Sequence, residues 1–273
     1  MRKAIWFALV TLPLGACAGT PAALEPKAIS TPVSPHGYLD HDALQALADT
    51  VPAPPLAGSD HALADEAASQ ALRRFENTNR WLLATSHAEV RPPLALQHFD
   101  CALGVQFTPD ENLAPATARI FQNLFEDAEG VSTLVKLRAY RARPIGDDAS
   151  REACQTVSPA GRASASYPSG SATVGAAYGA AMAMISPQDA QASQRIGNEI
   201  SISRAICGMH YPLDVQTGME LGQTVFEQAR LSPAFQNDLL EARAEILRLK
   251  AAGKTSPACA AERLALSQSA RLK

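Results

Sequence analysis

Between Ala172 and Ile185 the chain carries Gly175, Ala176, Ala177, Gly179, Ala180, Ala181 and Ala183 and no charged residue. Alanine is the best helix former, and a helix apolar all round is buried. So many small side chains imply a helix packed closely on its neighbours. Few aromatics and abundant alanine suit a core made of such contacts. No stretch alternates with period two for long, and no internal repeat is visible. The expected fold is all-α, a single-domain helical bundle.

Proline and serine punctuate the other helices. Short apolar helices are expected over Leu39–Ala48, Ala62–Phe75 and Leu94–Leu103, with Ser59-Asp60 a start signal. Val51-Pro52-Ala53-Pro54-Pro55 must be extended. Thr108-Pro109-Asp110-Glu111 opens the longest helical region, predicted to run to Arg143 with a hitch at Gly130 and to stop at Pro144. Its stripe is Ile120, Leu124, Val131, Leu134 and Val135. Ile145–Ser166 reads as a long loop of the kind that is often functional. Ser186-Pro187, Pro212 and Ser232-Pro233 start three further helices. Phe235, Leu239, Ala242, Ile246 and Leu249 mark the inner face of the last of these.

The N-terminus reads as a targeting segment. Arg2 and Lys3 precede the apolar run Ala4–Leu14, which is too short to span a bilayer. Leu14-Gly15-Ala16-Cys17 resembles the bacterial lipobox, which implies lipidation at Cys17 and an exported, membrane-anchored product. Residues 1–17 are then the signal, 18–38 a Pro/Ala/Thr-rich tether and 39–273 the folded domain. Ala18 after the cysteine favours, by the same resemblance, retention at the outer membrane, facing the periplasm. The other cysteines are Cys101, Cys154, Cys207 and Cys259. In an oxidising compartment they suggest two disulfides, with three connectivities possible. Cys101–Cys154 with Cys207–Cys259 is the pairing favoured here. No C-x-x-C spacing points to zinc, and a net charge of −3 offers no basic stripe for nucleic acid.

Three segments carry chemistry. In Ser203-Arg204-Ala205-Ile206-Cys207-Gly208-Met209-His210-Tyr211-Pro212-Leu213-Asp214, Gly208 ends one helix and Pro212 falls in the first turn of the next. Arg204 can fork onto an oxyanion, His210 can act as nucleophile, and Asp214 stands one turn on, where it can fix the ring. Lys136 and Arg143, seven residues apart, fall within roughly 20° of one helix face. Arg138 and Arg141 then point elsewhere, toward solvent. In Pro168-Ser169-Gly170-Ser171 a hydroxyl, a close-approach glycine and free helix-start N–H groups make a phosphate cradle in kind. Each segment alone is as ordinary as a capped helix start.

Together, Lys-x6-Arg-Pro, Pro-Ser-Gly and Ser-Arg-x5-His-x3-Asp resemble the tripartite signature of the type 2 phosphatidic acid phosphatase superfamily. Ala165-Ser166-Tyr167-Pro168-Ser169-Gly170 and Ile206-Cys207-Gly208-Met209-His210 are similar to the class A bacterial non-specific acid phosphatases, and similarity runs from about residue 50 to 250. The resemblance implies that Lys136, Arg143 and Arg204 bind phosphate oxygens, with Ser169 and the Gly170 N–H adding hydrogen bonds. His210 would form a phosphohistidine and Asp214 would orient it. No cofactor or metal is implied. The implied partners are small phosphate monoesters and, through Cys17, a membrane; a homo-oligomer is left open.

One position departs. The family's general-acid histidine is replaced by Ser171, a poor proton donor. The expected consequence is impaired activity that favours aryl phosphates with good leaving groups. A degenerate, non-catalytic phosphate-binding lipoprotein is the alternative from another class. A vanadate-dependent haloperoxidase shares the pocket by resemblance but uses the missing histidine.

Overall fold

A computed structural model describes residues 37–108 and 113–269. Cys17, the signal segment, most of the tether and Pro109–Glu111 lie outside the described residues.

Helices begin where capping chemistry permits. α1 (His41–Thr50) opens on Asp40, α2 (Asp60–Ala71) on Ser59 and α3 (Asn79–Ser86) on Thr78, each side chain accepting a backbone N–H of the first turn. α4 (Asp100–Leu103) is one turn, closed by Gly104 at φ +66°. α5 (Pro115–Arg138), α6 (Pro144–Asp147) and α7 (Pro159–Ala163) start on proline. α8 (Gly170–Ile185) is capped by Ser169, and α9 (Ala190–Ile206) follows a 3-10 turn at Pro187–Asp189. α10 (Pro212–Ala229) and α11 (Pro233–Ala252) again start on proline, and α12 (Cys259–Leu266) follows. No strand occurs among the described residues, so the all-α expectation holds. No helix among them is long and apolar enough to cross a membrane.

α8 lies between α9 and α10 at backbone contact. A Cβ added to Gly197 of α9 would stand 2.5 Å from the Gly175 carbonyl oxygen, and one on Gly222 of α10 would stand 2.2 Å from that of Thr173. Only glycine permits these approaches. Of the predicted α5 stripe, Ile120, Leu124, Val131 and Val135 are fully buried and Leu134 partly. Phe121 stacks on Tyr178 of α8 with ring centroids 4.0 Å apart. The first turn of α5 has no local side-chain cap. Glu245 of α11 supplies one across the structure, accepting from the Ala116 and Thr117 N–H groups at 2.8 and 2.9 Å.

Two expectations are corrected here. The long helix runs Pro115–Arg138, not to Arg143; residues 139–143 are extended or irregular. The disulfides are Cys101–Cys259 and Cys154–Cys207, with Cα atoms 5.3 and 5.0 Å apart. Cys207 follows the last turn of α9, against the long loop that carries Cys154. Cys101 lies on α4, which packs on α12. Sequence spacing could not reveal either neighbourhood.

Candidate active site

The site forms where the starts of α8 and α10 meet the end of α9 and the loop between α5 and α8. Gly208, at φ +68°, turns the chain out of α9, and Tyr211 and Pro212 begin α10. His210 therefore sits just ahead of a helix N-terminus, as expected, and is buried. Its Nδ1–H donates to the Ser166 carbonyl oxygen at 2.7 Å. That bond places the proton on Nδ1 and leaves a lone pair on Nε2. Arg143 Nη1 donates toward Nε2 at 3.0 Å and to the Met209 carbonyl at 2.9 Å. Arg143 is held further by Nε to the Ser164 hydroxyl and Nη2 to the Ala165 carbonyl.

Lys136, Arg143 and Arg204 do converge on this ring. Burial, then the charges of Arg143, Lys136 and Arg204, hold the His210 imidazole well below its ordinary 6.5. Arg204 is buried, its Nη2 donates to Gln155 Oε1 at 3.0 Å, and its Nε and Nη1 have no acceptor among the described residues. Burial and the neighbouring Arg143 lower its pKa to about 10. Burial lowers that of Lys136 as well. Buried, unpaired guanidinium donors are costly unless they serve an anion. His210, Arg143 and Arg204 are thus buried at the site, while Lys136 and Ser171 are half-buried.

The route by which Arg143 arrives differs from the expected one. α5 has ended, so Lys136 and Arg143 do not share a helix face. Pro144 holds Arg143 extended at φ −83°, ψ 151°. Alternate residues of an extended segment point the same way, which brings Arg141 inward as well. Arg141 is not solvated: its Nη1 pairs with Asp214 Oδ1 at 2.8 Å and Asp65 Oδ2 at 2.7 Å. The role of Asp214 changes with it. No hydrogen bond joins Asp214 to His210. Its Oδ2 accepts from the Ser166 hydroxyl at 2.5 Å and the Tyr211 N–H at 2.9 Å. Asp214 is the third residue of α10 and reaches the ring only through Ser166.

The Ser169 hydroxyl accepts from the Ala172 N–H at 3.3 Å and caps α8. Gly170 lies against the ends of two long side chains: a Cβ there would stand 2.8 Å from Glu129 Oε1 and 3.4 Å from Lys136 Nζ. Residues missed in the sequence are therefore Ser166, Arg141 and Glu129. Ser166 lies inside a motif already singled out. Glu129 stands seven residues before Lys136 on the same α5 face, a spacing readable in advance.

The long loop delivers Ser164, Ala165, Ser166 and Gln155 to the site, and Cys154–Cys207 ties it to the end of α9. A cavity of about 520 Å³ between α3, α4 and α12, bounded by His87, His98, Asp100 and Glu262, contains none of the site residues. No group of three or more His, Cys, Asp or Glu among the described residues is arranged to hold a metal.

No protein-family model matches the chain. Curated relatives do. The non-specific acid phosphatase of Providencia stuartii is 29% identical over 209 residues, 76% of this chain and 83% of that protein. The non-specific acid phosphatase of Salmonella typhimurium is 28% identical over 176 residues, covering 63% and 68%. The acid phosphatase of Zymomonas mobilis is 26% identical over 203 residues, covering 74% and 76%. With this similarity spread over most of the helical fold, the chain is a homologue of the bacterial non-specific acid phosphatases, the family its motifs resemble.

Proposed function

We propose that this acid phosphatase homologue hydrolyses phosphate monoesters through a phosphohistidine on His210. The observation that carries the reading is the His210 environment: a ring with its proton on Nδ1 and an unprotonated Nε2 that faces the Arg143 guanidinium, under the charges of Lys136, Arg143 and Arg204. Nε2 attacks phosphorus, the P–O bond to the leaving group breaks, and the oxygen leaves with a proton. Water then cleaves the P–N bond and releases inorganic phosphate. Phosphoryl transfer needs positioning and charge stabilisation above all, which three cations supply. Ser169 and the Gly170 N–H complete the cradle. Asp214 and Ser166 act as positioning residues. Ser171 is no acid; with Ser171 alone, turnover would be confined to leaving groups that depart without a proton. The relatives' names support the activity. An exported lipoprotein anchored at Cys17 is part of the same proposal, and two disulfides fit an oxidising compartment.

The test is hydrolysis of a nitrophenyl phosphate by purified protein across pH, with His210→Ala alongside. His210 is depressed, so its neutral, nucleophilic form persists as pH falls through 6.5. The acid limb of kcat/KM, which reports the free enzyme, should therefore lie well below 6.5, and His210→Ala should be inactive. Equal rates for the two proteins would refute the phosphatase reading.

A further inference from the structure

Arg204 is buried with most of its donors unspent. A guanidinium carries five N–H groups. Those on Nε and Nη1 of Arg204 have no acceptor among the described residues, and Nη2 donates to Gln155 Oε1 at 3.0 Å. Arginine offers no acceptor, so the amide turns its oxygen, not its nitrogen, to the guanidinium. None of the ion pairs among the described residues involves Arg204. Arg141 is the contrast: Asp214 and Asp65 take its charge at 2.8 and 2.7 Å. A carboxylate at position 155 would take the charge of Arg204 in the same way. An amide fixes the guanidinium and leaves that charge whole.

The place of Gln155 is secured covalently. It lies half-buried between α6 and α7, where residues 151–158 form no helix. Cys154 beside it is bonded to Cys207, three residues beyond Arg204. The disulfide ties the segment that carries the amide to the helix end that carries the guanidinium. Resting on the phosphatase reading above, we propose that Gln155 is a positioning residue for the substrate phosphate, a neutral acceptor that aims Arg204 at the anion. Two requirements follow. Residue 155 must accept a hydrogen bond, and it must carry no charge.

The experiment measures dissociation constants for inorganic phosphate and vanadate by titration calorimetry, for the wild type, Gln155→Met and Gln155→Glu. Methionine keeps the length of the side chain and loses the acceptor. Binding should weaken about tenfold, the scale of one hydrogen bond to a charged group. Glutamate keeps the acceptor and sets a negative charge beside the bound anion. Binding should weaken by ~10²-fold or more. Relative to the wild type, the glutamate penalty should shrink as pH falls toward the ordinary carboxyl range, because protonation restores a neutral acceptor. The methionine penalty should not change. Arg143 and Glu129, the other charges that act on Arg204, are the same in all three proteins. Thermal unfolding shows that each variant folds; a merely structural Gln155 would lower the unfolding temperature and leave affinity alone. Wild-type affinity in Gln155→Met, or a loss in Gln155→Glu no greater than in Gln155→Met, overturns the assignment and leaves the phosphatase reading standing. A wild type that neither binds these anions nor hydrolyses nitrophenyl phosphate removes both.

Discussion

Replacing Arg143 with alanine is expected to lower kcat/KM for a phosphate monoester by about 10²–10³-fold, the usual cost of one preorganised donor to a developing oxyanion. The side chain serves two purposes. It is one of three cations in the pocket, and Nη1 touches His210 Nε2 while bonding to the Met209 carbonyl. Nε and one Nη2–H are held by Ser164 and Ala165, which preorganises the guanidinium and leaves the other Nη2–H for an oxyanion. Arg143→Lys keeps the charge and loses the fork, and should recover only part of the rate. The measurement is kcat/KM for an aryl phosphate, with thermal unfolding to show that the variant folds. A loss below about tenfold, worth 1.36 kcal/mol, would remove Arg143 from the machinery.

Arg80→Met is expected to cost about 3–5 kcal/mol of stability, a large share of the roughly 5–15 kcal/mol that holds a typical domain together. Arg80 is completely buried and donates to Ser203 Oγ at 2.9 Å and Glu199 Oε2 at 3.0 Å. These bonds fix α3 to α9 about one turn before Arg204. Removing the arginine strands the buried Glu199 carboxylate. Arg80→Met with Glu199→Leu should therefore lose much less than the single variant, because both charges go together. Urea titration of the three proteins decides it. Single and double variants of equal stability would mean that the pair is not coupled.

Most of the helices could be read from the sequence because their ends are written in local chemistry. Pro212, Pro233 and Ser59 start helices where caps and first-turn prolines should. The apolar spacing of α5 and α11 is likewise a one-dimensional signal. The end of α5 is not, because nothing at Ala139 breaks a helix. The chain leaves at Arg138, and residues beyond it make distant contacts: the Ser166 N–H donates to the Arg141 carbonyl, and the Arg141 guanidinium pairs with Asp65 and Asp214. The same blindness misplaced Asp214. An i, i+4 contact with His210 presumes one helix through both, whereas α10 begins only at Pro212. The motifs named Lys136, Arg143, Arg204 and His210 without knowing how they meet. Glu129 belongs to no motif; its spacing from Lys136 could be read in advance, but its place beside Gly170 could not.

The central claim is a covalent bond between phosphorus and His210 Nε2. Wild-type protein mixed with a nitrophenyl phosphate, quenched in alkali within the first turnovers and digested, should yield the peptide containing His210 carrying one phosphoryl group. The modification should be acid-labile and absent from His210→Ala. Turnover without that peptide at any quench time, or with the phosphoryl group on another residue, would contradict the account. Phosphate binding with no turnover at all would identify the chain instead as a non-catalytic phosphate-binding homologue of the acid phosphatases.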